Sequence, residues 1–214
     1  MISAVFAFIM FTGVMLPWLL ERNRRLTVYF IGSISVLLGL YFLWLASIKL
    51  PIAELIGSKD AALGITLSLG ARELFWLLAT LGLITIHFII YHREFTELSL
   101  TTLVLYLFSF FAICGILLTR DIFNLFVMLE LFSISMIGLI LARVNHINAL
   151  KAFQYLLLNS LAAALFLLGV VLIYQQTGTL NLDALLAMDQ YLPNLAMAFV
   201  MTAISLKLML FPLN

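Results

Sequence analysis

The sequence predicts an all-α polytopic membrane protein with about seven transmembrane helices. Of its 214 residues, 65% are hydrophobic and 10% are charged, and the mean hydropathy is +1.21. Soluble domains are about 45–50% apolar and about 25% charged, so this chain has more apolar surface than one core can bury. The charged residues also lie between apolar runs of about 20 residues, the length that crosses a bilayer as a helix.

The charge balance and the cysteine count exclude other classes of protein. A formal net charge of +1 gives no electrostatic basis for nucleic-acid binding. A single cysteine, Cys114, excludes an intrachain disulfide framework and a cysteine-only metal site. The sequence has no P-loop, no GxGxxG turn and no haem or iron–sulfur ligand set. We therefore expect no metal, no cofactor and no catalytic site of the chain's own.

Polar junctions separate the predicted spans. The run ERNRR (residues 21–25) ends the first span, and Lys49 with Pro51 ends the second. Only residues 119–121 separate the fourth span from the fifth, which predicts a tight helical hairpin in which Asp121 caps the fifth helix. The predicted spans are residues 1–20, 26–48, 73–91, 98–118, 122–141, 149–174 and 194–213.

Two longer loops carry secondary structure of their own. In the loop between spans two and three, residues 64–70 (GITLSLG) alternate apolar and small polar residues, which indicates a short strand or hairpin. The loop between spans six and seven, residues 175–193, is expected to hold a short interfacial helix around residues 182–188.

Basic residues in the loops predict the orientation. The first, third and fifth loops hold six of them, and the second, fourth and sixth hold four, three of which lie in the long second loop. By the positive-inside rule, the N-terminus lies outside and the first loop lies in the cytoplasm. The six are Arg22, Arg24, Arg25, Arg93, Arg143 and Lys151, and the four are Lys49, Lys59, Arg72 and Arg120.

Two charged residues lie inside predicted spans. Glu130 is near the middle of the fifth, and Lys207 lies within the seventh. Each costs about 2.5–3.5 kcal/mol on insertion scales, so intramembrane charges usually mark ion pathways. Two ordinary interpretations stay open: Lys207 snorkels from near a helix end, or Glu130 is a neutral carboxylic acid bonded to a neighbouring helix. The functional interpretation is an intramembrane pair that lines a buried polar path.

The expected depths of the two charges are compatible with this pairing. At 1.5 Å per residue, Glu130 lies roughly 12 Å along span five and Lys207 roughly 20 Å along span seven. A lysine that points toward the N-terminus of its helix can bridge that difference. Pro212 is expected to break the seventh helix, because it removes the hydrogen-bond partner of the Leu208 carbonyl. Such broken helices mark ion sites in transporters.

Four further residues are weaker candidates for the polar path. Ser133 lies one turn from Glu130, and Asn159 lies in span six. Both residue types also serve as ordinary interhelical hydrogen-bond partners. His146 and Lys151 flank the junction before span six. They are either solvated loop residues or a cytoplasmic route by which protons reach the path.

Three stretches resemble one family of membrane subunits. Residues 121–135 (DIFNLFVMLELFSIS) are similar to the fifth helix of the antiporter-like subunits. These subunits occur in Mrp-type cation/proton antiporters, membrane-bound hydrogenases and respiratory complex I. Residues 149–182, which end in TGTLNL, resemble the following helix and loop. Residues 205–213 (SLKLMLFPL) resemble the seventh helix with its lysine before a Phe-Pro break. The first stretch is more similar to the D-type subunits of Mrp antiporters and to the hydrogenase relatives than to the complex I versions.

The resemblance implies roles and an architecture. Glu130 matches the family's fifth-helix glutamate and Lys207 its seventh-helix lysine, the pair associated with proton movement. The resemblance also implies inverted five-helix repeats and assembly into a large membrane complex. Family members have about fourteen helices, so this chain is expected to be an N-terminal half, with the second-half charges missing. The sequence departs from the family pattern at Gln154 and Asn214, where the family often has lysine and histidine.

These inferences combine into one expectation with two alternatives. Residues 1–118 are expected to form four N-terminal helices, and residues 119–214 the start of the antiporter-like core. The expected function is proton or cation/proton translocation by a multi-pass subunit in a prokaryotic cell membrane. Its expected partners are other subunits of an antiporter, hydrogenase or complex I-like assembly, the lipid bilayer, and protons or sodium. The alternatives are a proton-pumping subunit of an NADH dehydrogenase or hydrogenase complex, and a structural fragment without transport activity.

Overall fold

The computed structural model describes residues 2, 3, 8, 11, 12, 15, 23–48, 50–57, 64–142, 146–188 and 193–208. This part of the chain is mostly helical, which confirms the predicted helical membrane-type fold. Its helices are α1 (Arg24–Ile48), α2 (Ala71–Phe95), α3 (Leu100–Leu118), α4 (Ile122–Leu141), α5 (His146–Thr177), α6 (Leu182–Ala187) and α7 (Asn194–Lys207). Its strands are β1 (Ile52–Ile56) and β2 (Ile65–Leu69).

Five of these helices are long and apolar enough to cross a bilayer: α1, α2, α3, α4 and α5. They correspond to predicted spans two to six. Most of predicted span one lies outside the described residues. The seventh span is described up to Leu208, and its helix, α7, has 14 residues. The expected break at Pro212 also lies outside the described residues.

Several helices extend beyond the predicted apolar spans. Helix α2 continues to Phe95 across a kink at Tyr91, the predicted end of that span, and α5 covers 32 residues from His146 to Thr177. The backbone hydrogen bonds of a helix are satisfied in water as well as in lipid, so a helix need not end where the hydrocarbon ends. Charged residues therefore indicated the edges of the apolar layer and not the ends of the helices.

The expected β structure is a hairpin in the loop before α2. Strands β1 and β2 form a two-stranded sheet. The stretch GITLSLG correctly predicted β2, whereas β1 was not singled out. Gly57, just after β1, has a φ of +91°, a conformation that side chains disfavour and glycine adopts readily.

The chain divides into two compact units. The first comprises Met1–Glu54 and Leu67–Leu118, and the second comprises Leu55–Thr66 and Thr119–Asn214. In the first unit, α1 packs on α2 at Gly32, whose Cα approaches the ring of Phe88. The hydroxyls of Ser35 and Thr85 lie 2.9 Å apart across the same interface.

The core of the second unit lies among α4, α5, α6 and α7. Buried apolar side chains from all four helices fill it. The members are Ile122, Phe166, Val170, Ile173, Leu185, Ala196 and Ala203. Because α5 contributes the central Phe166, Val170 and Ile173, both α4 and α7 are positioned against that helix.

Glycine permits the close approach of α5 and α7. A Cβ added at Gly169 would lie 2.5 Å from Val200 Cγ2 and 3.0 Å from the Ala196 carbonyl oxygen. The second atom belongs to the backbone and cannot rotate away. The small side chains at the crossing therefore set the distance between these helices, as is common in membrane proteins.

Gly169→Val is expected to destabilise the second unit by about 1–3 kcal/mol, since overpacking forces the two helices apart. The measurement is thermal unfolding of the detergent-solubilised protein. Gly82→Val is the matched control, because nothing lies within 4 Å of a Cβ at Gly82. Equal unfolding temperatures for the two variants would contradict close packing at Gly169.

The short junction before α4 is tied to two neighbouring segments. The Arg120 N–H donates to the Thr66 carbonyl (2.8 Å), and the Arg120 carbonyl accepts from the Leu182 N–H (2.8 Å). The Asp121 carboxylate accepts from the Asn124 N–H (2.7 Å), which confirms its predicted role as the N-cap of α4. Burial raises the pKa of this carboxyl above its ordinary value. These bonds fix where α4 begins, and hence the position of Glu130 along it.

Asn181 closes the same region from the side of α6. Its side-chain oxygen caps α6 through the N–H groups of Asp183 and Ala184, both at 3.0 Å. Its Nδ2 donates to Thr66 Oγ1 at 2.8 Å. One buried side chain therefore holds the start of α6 against β2.

Asn181→Ala is expected to destabilise the protein by about 2 kcal/mol, because it removes a helix cap and a buried hydrogen bond together. Thermal unfolding in detergent measures the effect. Asn194→Ala provides the comparison, since Asn194 is exposed and Pro193 occupies the N-cap of α7. A loss at Asn194 as large as that at Asn181 would contradict this role for Asn181.

Candidate functional site

Three helices of the second unit bring polar side chains to one point. Helix α4 contributes Glu130 and Ser133, α5 contributes Asn159, and α7 contributes Lys207. Glu130 and Ser133 are three residues apart, so they lie on the same face of α4. Residues separated by as many as 77 positions in the chain therefore meet inside one compact unit.

Lys207 lies at the centre of this cluster. Its Nζ donates to Glu130 Oε1 at 2.5 Å and to Asn159 Oδ1 at 2.8 Å, and it lies 3.5 Å from Ser133 Oγ. Asn159 Nδ2 donates in turn to Glu130 Oε2 at 3.2 Å. Lysine, glutamate and asparagine thus form a closed ring of hydrogen bonds.

The cluster is largely shielded from its surroundings. The side chain of Lys207 is 7% exposed and that of Glu130 is 21% exposed. Asn159 is 6% exposed and Ser133 is 4% exposed. Removing two charges from water is costly, and the cost is offset only when the charges are paired and their remaining hydrogen bonds are made. Within the described part of the chain, no buried side-chain nitrogen or oxygen lacks a hydrogen-bond partner.

The local structure of α4, α5 and α7 explains why these side chains lie together in the cluster. Asp121 starts α4 nine residues before Glu130, and Gly169 lets α7 approach α5. Helix α7 ends at Lys207, with the Leu208 N–H bonded to the Ile204 carbonyl. A cation in the last turn is favoured by the helix dipole. Lys207 therefore lies where its own helix already stabilises a positive charge.

The secondary candidates separate into two groups. Asn159 and Ser133 lie in the cluster, although the hydroxyl of Ser133 also donates to the Leu129 carbonyl at 2.9 Å on its own helix. Lys151 is exposed and precedes Asn159 by eight residues, about 12 Å along α5, so it is not part of the cluster. His146 is the first residue of α5, and its side chain is outside the described part.

Sequence reasoning missed how Asn159 is used. An asparagine in an apolar helix is usually an ordinary hydrogen-bond partner between helices. The residues next to Asn159 in the sequence do not show whether it has that structural role or belongs to a functional site. The available signal was its occurrence in the helix directly after the one that carries Glu130. The structure shows that its amide contacts both charged partners at once.

Other features of the described residues lack this combination of groups. They contain no group of three or more His, Cys, Asp or Glu side chains that could hold a metal ion. A crevice of ≈ 410 Å³ lies between α1 and α2, and its polar lining consists of Tyr29, Ser33, Thr85 and His92. No carboxylate or lysine lines it, so it lacks the paired acid and base found around Lys207.

The part of the chain that holds the cluster matches a known protein family. Residues 119–214 match the NADH:quinone oxidoreductase/Mrp antiporter transmembrane family. The N-type subunit of the NADH-quinone oxidoreductase of Desulforudis audaxviator is 35% identical over 115 residues, which cover 51% of this chain and 23% of that protein. The D-type subunit of the Na(+)/H(+) antiporter of Alkalihalophilus pseudofirmus is 39% identical over 80 residues, which cover 36% of this chain and 16% of that protein.

A solved structure matches the whole fold. The chain superimposes on a subunit of the membrane-bound sulfane sulfur reductase, an archaeal respiratory membrane complex, with a TM-score of 0.89 and 25% identity. The match covers 100% of this chain and 46% of that subunit, so the chain spans about half of its length. The resemblance to the antiporter-like subunits is therefore confirmed, and all four residues of the cluster lie in the matched region 119–214.

Proposed function

We propose that this chain, a relative of the antiporter-like subunits of Mrp antiporters and NADH:quinone oxidoreductases, is part of a membrane subunit that translocates protons, or cations against protons. One observation carries the proposal. A buried lysine on α7 is paired with a carboxylate near the middle of α4, at 2.5 Å, within an apolar helical unit. Ionisable residues inside a membrane that pair with one another usually mark ion pathways or proton relays.

The pair works as an electrostatic switch. While Lys207 lies beside Glu130, each charge stabilises the other against the unfavourable apolar surroundings. When Lys207 moves away, the carboxylate loses its positive partner and binds a proton. When Lys207 returns, the proton is released. Moving one charge through 100 mV requires about 2.3 kcal/mol, which is comparable to the free energy of a modest change in pKa, about 1.4 kcal/mol per unit.

The proposed architecture follows the sequence-based expectations. Residues 1–20 and 194–213 complete seven spans, and Pro212 breaks the last one after Lys207. The N-terminus lies on the outer side of the cell membrane.

Residues 1–118 form four supporting helices, and residues 119–214 form the translocating core, in which Ser133 and Asn159 assist the charged pair. His146 and Lys151 lie at the cytoplasmic end of α5 and supply protons to the path. Other membrane subunits pack against the chain.

A second candidate function is proton pumping coupled to a redox reaction in partner chains. It is favoured by similarity to an NADH-quinone oxidoreductase subunit and to a subunit of a respiratory sulfane sulfur reductase. In that case the electron-transfer chemistry belongs to other subunits. The Glu130–Lys207 pair performs the same proton step in both functions.

One experiment separates the two functions and tests both. An affinity tag on this chain allows its native complex to be purified from the host and reconstituted in vesicles with an internal pH dye. Proton movement driven by a sodium or potassium gradient supports exchange. Movement driven by an electron donor such as NADH supports a redox pump. Absence of proton movement under both conditions, in an intact complex, would overturn the proposal in favour of a structural role.

A further inference from the structure

Asn159 contacts both members of the charged pair, and its amide group has a fixed orientation there. A lysine ammonium only donates hydrogen bonds, and an ionised carboxylate only accepts them. The amide oxygen must therefore face Lys207 and the amide nitrogen must face Glu130, as the distances of 2.8 Å and 3.2 Å show. The oxygen of Asn159 is occupied only while Lys207 is present.

We infer that Asn159 is a positioning residue that accepts a hydrogen bond from protonated Glu130 when Lys207 moves away. This inference rests on the proposed function. Departure of Lys207 frees Asn159 Oδ1, while Asn159 Nδ2 keeps its bond to Glu130 Oε2. A protonated Glu130 then donates from Oε1 to Asn159 Oδ1. The product is a neutral acid–amide pair with two hydrogen bonds, formed without turning the amide over.

The geometry allows this exchange of partners with little movement. Glu130 Oε1 and Asn159 Oδ1 both bond the same nitrogen, at 2.5 Å and 2.8 Å. Two acceptors of one ammonium lie about 4–5 Å apart. Small rotations of the two side chains close that gap once the nitrogen leaves. Both residues come from packed neighbouring helices, α4 and α5, so their backbones need not move.

The proton balance is simple. Lys207 Nζ transfers one proton to Glu130 Oε1, so one N–H bond breaks, one O–H bond forms, and the pair becomes a neutral amine and a neutral acid. Alternatively the lysine leaves as a cation, and Glu130 binds one proton that arrives from bulk solution as hydronium, so one O–H bond of hydronium breaks and one O–H bond of the acid forms. Either way Glu130 is neutral and needs a hydrogen-bond acceptor in a nearly dry site. An unmade bond there is costly, and Asn159 Oδ1 supplies the acceptor.

The inference is tested in the native complex with Asn159→Leu, a substitution of similar size without polar atoms. Two quantities are measured: proton translocation in vesicles, and the carboxylic-acid stretch of Glu130 by infrared difference spectroscopy. Glu130→Gln identifies that band by its loss. We expect a roughly tenfold fall in translocation, the effect of losing two neutral hydrogen bonds. The acid band is expected to move to the frequency of a carboxyl group without hydrogen bonds.

Conservative variants and controls complete the design. Asn159→Gln keeps the amide and is expected to restore the band and part of the activity. Ser160→Ala is the control, because Ser160 is exposed and its hydroxyl donates to the Leu156 carbonyl of its own helix. If Asn159→Leu fails to assemble, Asn159→Ser, which is too short to reach both partners, is expected to show the same loss and the same band shift.

The outcomes separate this inference from the proposed function. Wild-type translocation, or an unshifted acid band, in an assembled Asn159→Leu or Asn159→Ser complex would overturn the role of Asn159. If Glu130→Gln and Lys207→Met are inactive in the same assays, the proposed function survives that result. If both of those variants translocate protons normally, the Glu130–Lys207 pair is not the basis of the proposed function.

Discussion

Lys207→Met is expected to reduce proton translocation by the native complex roughly ten- to a hundredfold. Methionine has a similar length and fits the same space, but it has no charge and no proton to give. The bond that it removes, from a buried ammonium to a carboxylate, belongs to the class worth about 1.5–3 kcal/mol, which corresponds to that loss of rate. The measurement is proton uptake in vesicles, normalised to the amount of assembled complex.

Lys207→Arg separates the charge of the lysine from its proton. Arginine keeps the positive charge and pairs well with a carboxylate, but it does not release a proton in proteins. We expect Lys207→Arg to assemble like the wild type and to translocate poorly. Ser205→Ala is the control on the same helix, because the Ser205 hydroxyl donates to the Met201 carbonyl of its own helix. Normal translocation by Lys207→Met would refute the switch.

Glu130 and Lys207 could be identified from the sequence because a charged residue is rare inside an apolar span. A charge in the middle of an apolar run has a large insertion cost, so each stands out in a sequence where nearly all other charges lie between the spans. Helix geometry alone made their contact possible, and the roles proposed for them came from the resemblance to the antiporter-like subunits. The fold class followed from composition for the same reason, since apolar runs of this length have few alternatives to transmembrane helices.

The contacts of Asn159 and the hydrogen bonds of Asn181 were less predictable from the sequence. An uncharged polar residue is tolerated in many places in a helix bundle, so composition does not show which one faces a functional pair. The bonds from Thr66 to Arg120 and Asn181 join segments far apart in the chain, and they depend on how β2 meets the starts of α4 and α6. Local patterns identify a cap such as Asp121 but do not specify tertiary partners.

The Glu130–Lys207 pair is also expected to dominate the stability of the second unit. Glu130→Leu leaves the Lys207 ammonium buried without its carboxylate and should destabilise the protein by about 3–5 kcal/mol. Lys207→Met leaves Glu130 with only the Asn159 amide and should also be destabilising. Thermal unfolding in detergent, combined with chemical denaturation of the purified protein, provides both free energies.

The double variant Glu130→Leu/Lys207→Met is expected to be more stable than the sum of the two single losses predicts, because neither charge is then left unpaired. Recovery should be incomplete, since the amide of Asn159 loses both partners and stays buried. Adding Asn159→Leu removes that buried amide and should recover more of the stability. Strict additivity of the two single effects would show that the side chains are not coupled.

Stability should therefore recover from the single to the triple variant, while transport stays lost throughout the series. The triple variant has an apolar core that folds well, yet it has no acid, no base and no amide to carry a proton. If it regains stability and remains unable to translocate protons, the buried charges are kept for transport and not for folding. If translocation returned together with stability, the polar cluster would be a structural element, and the proton path would have to lie elsewhere.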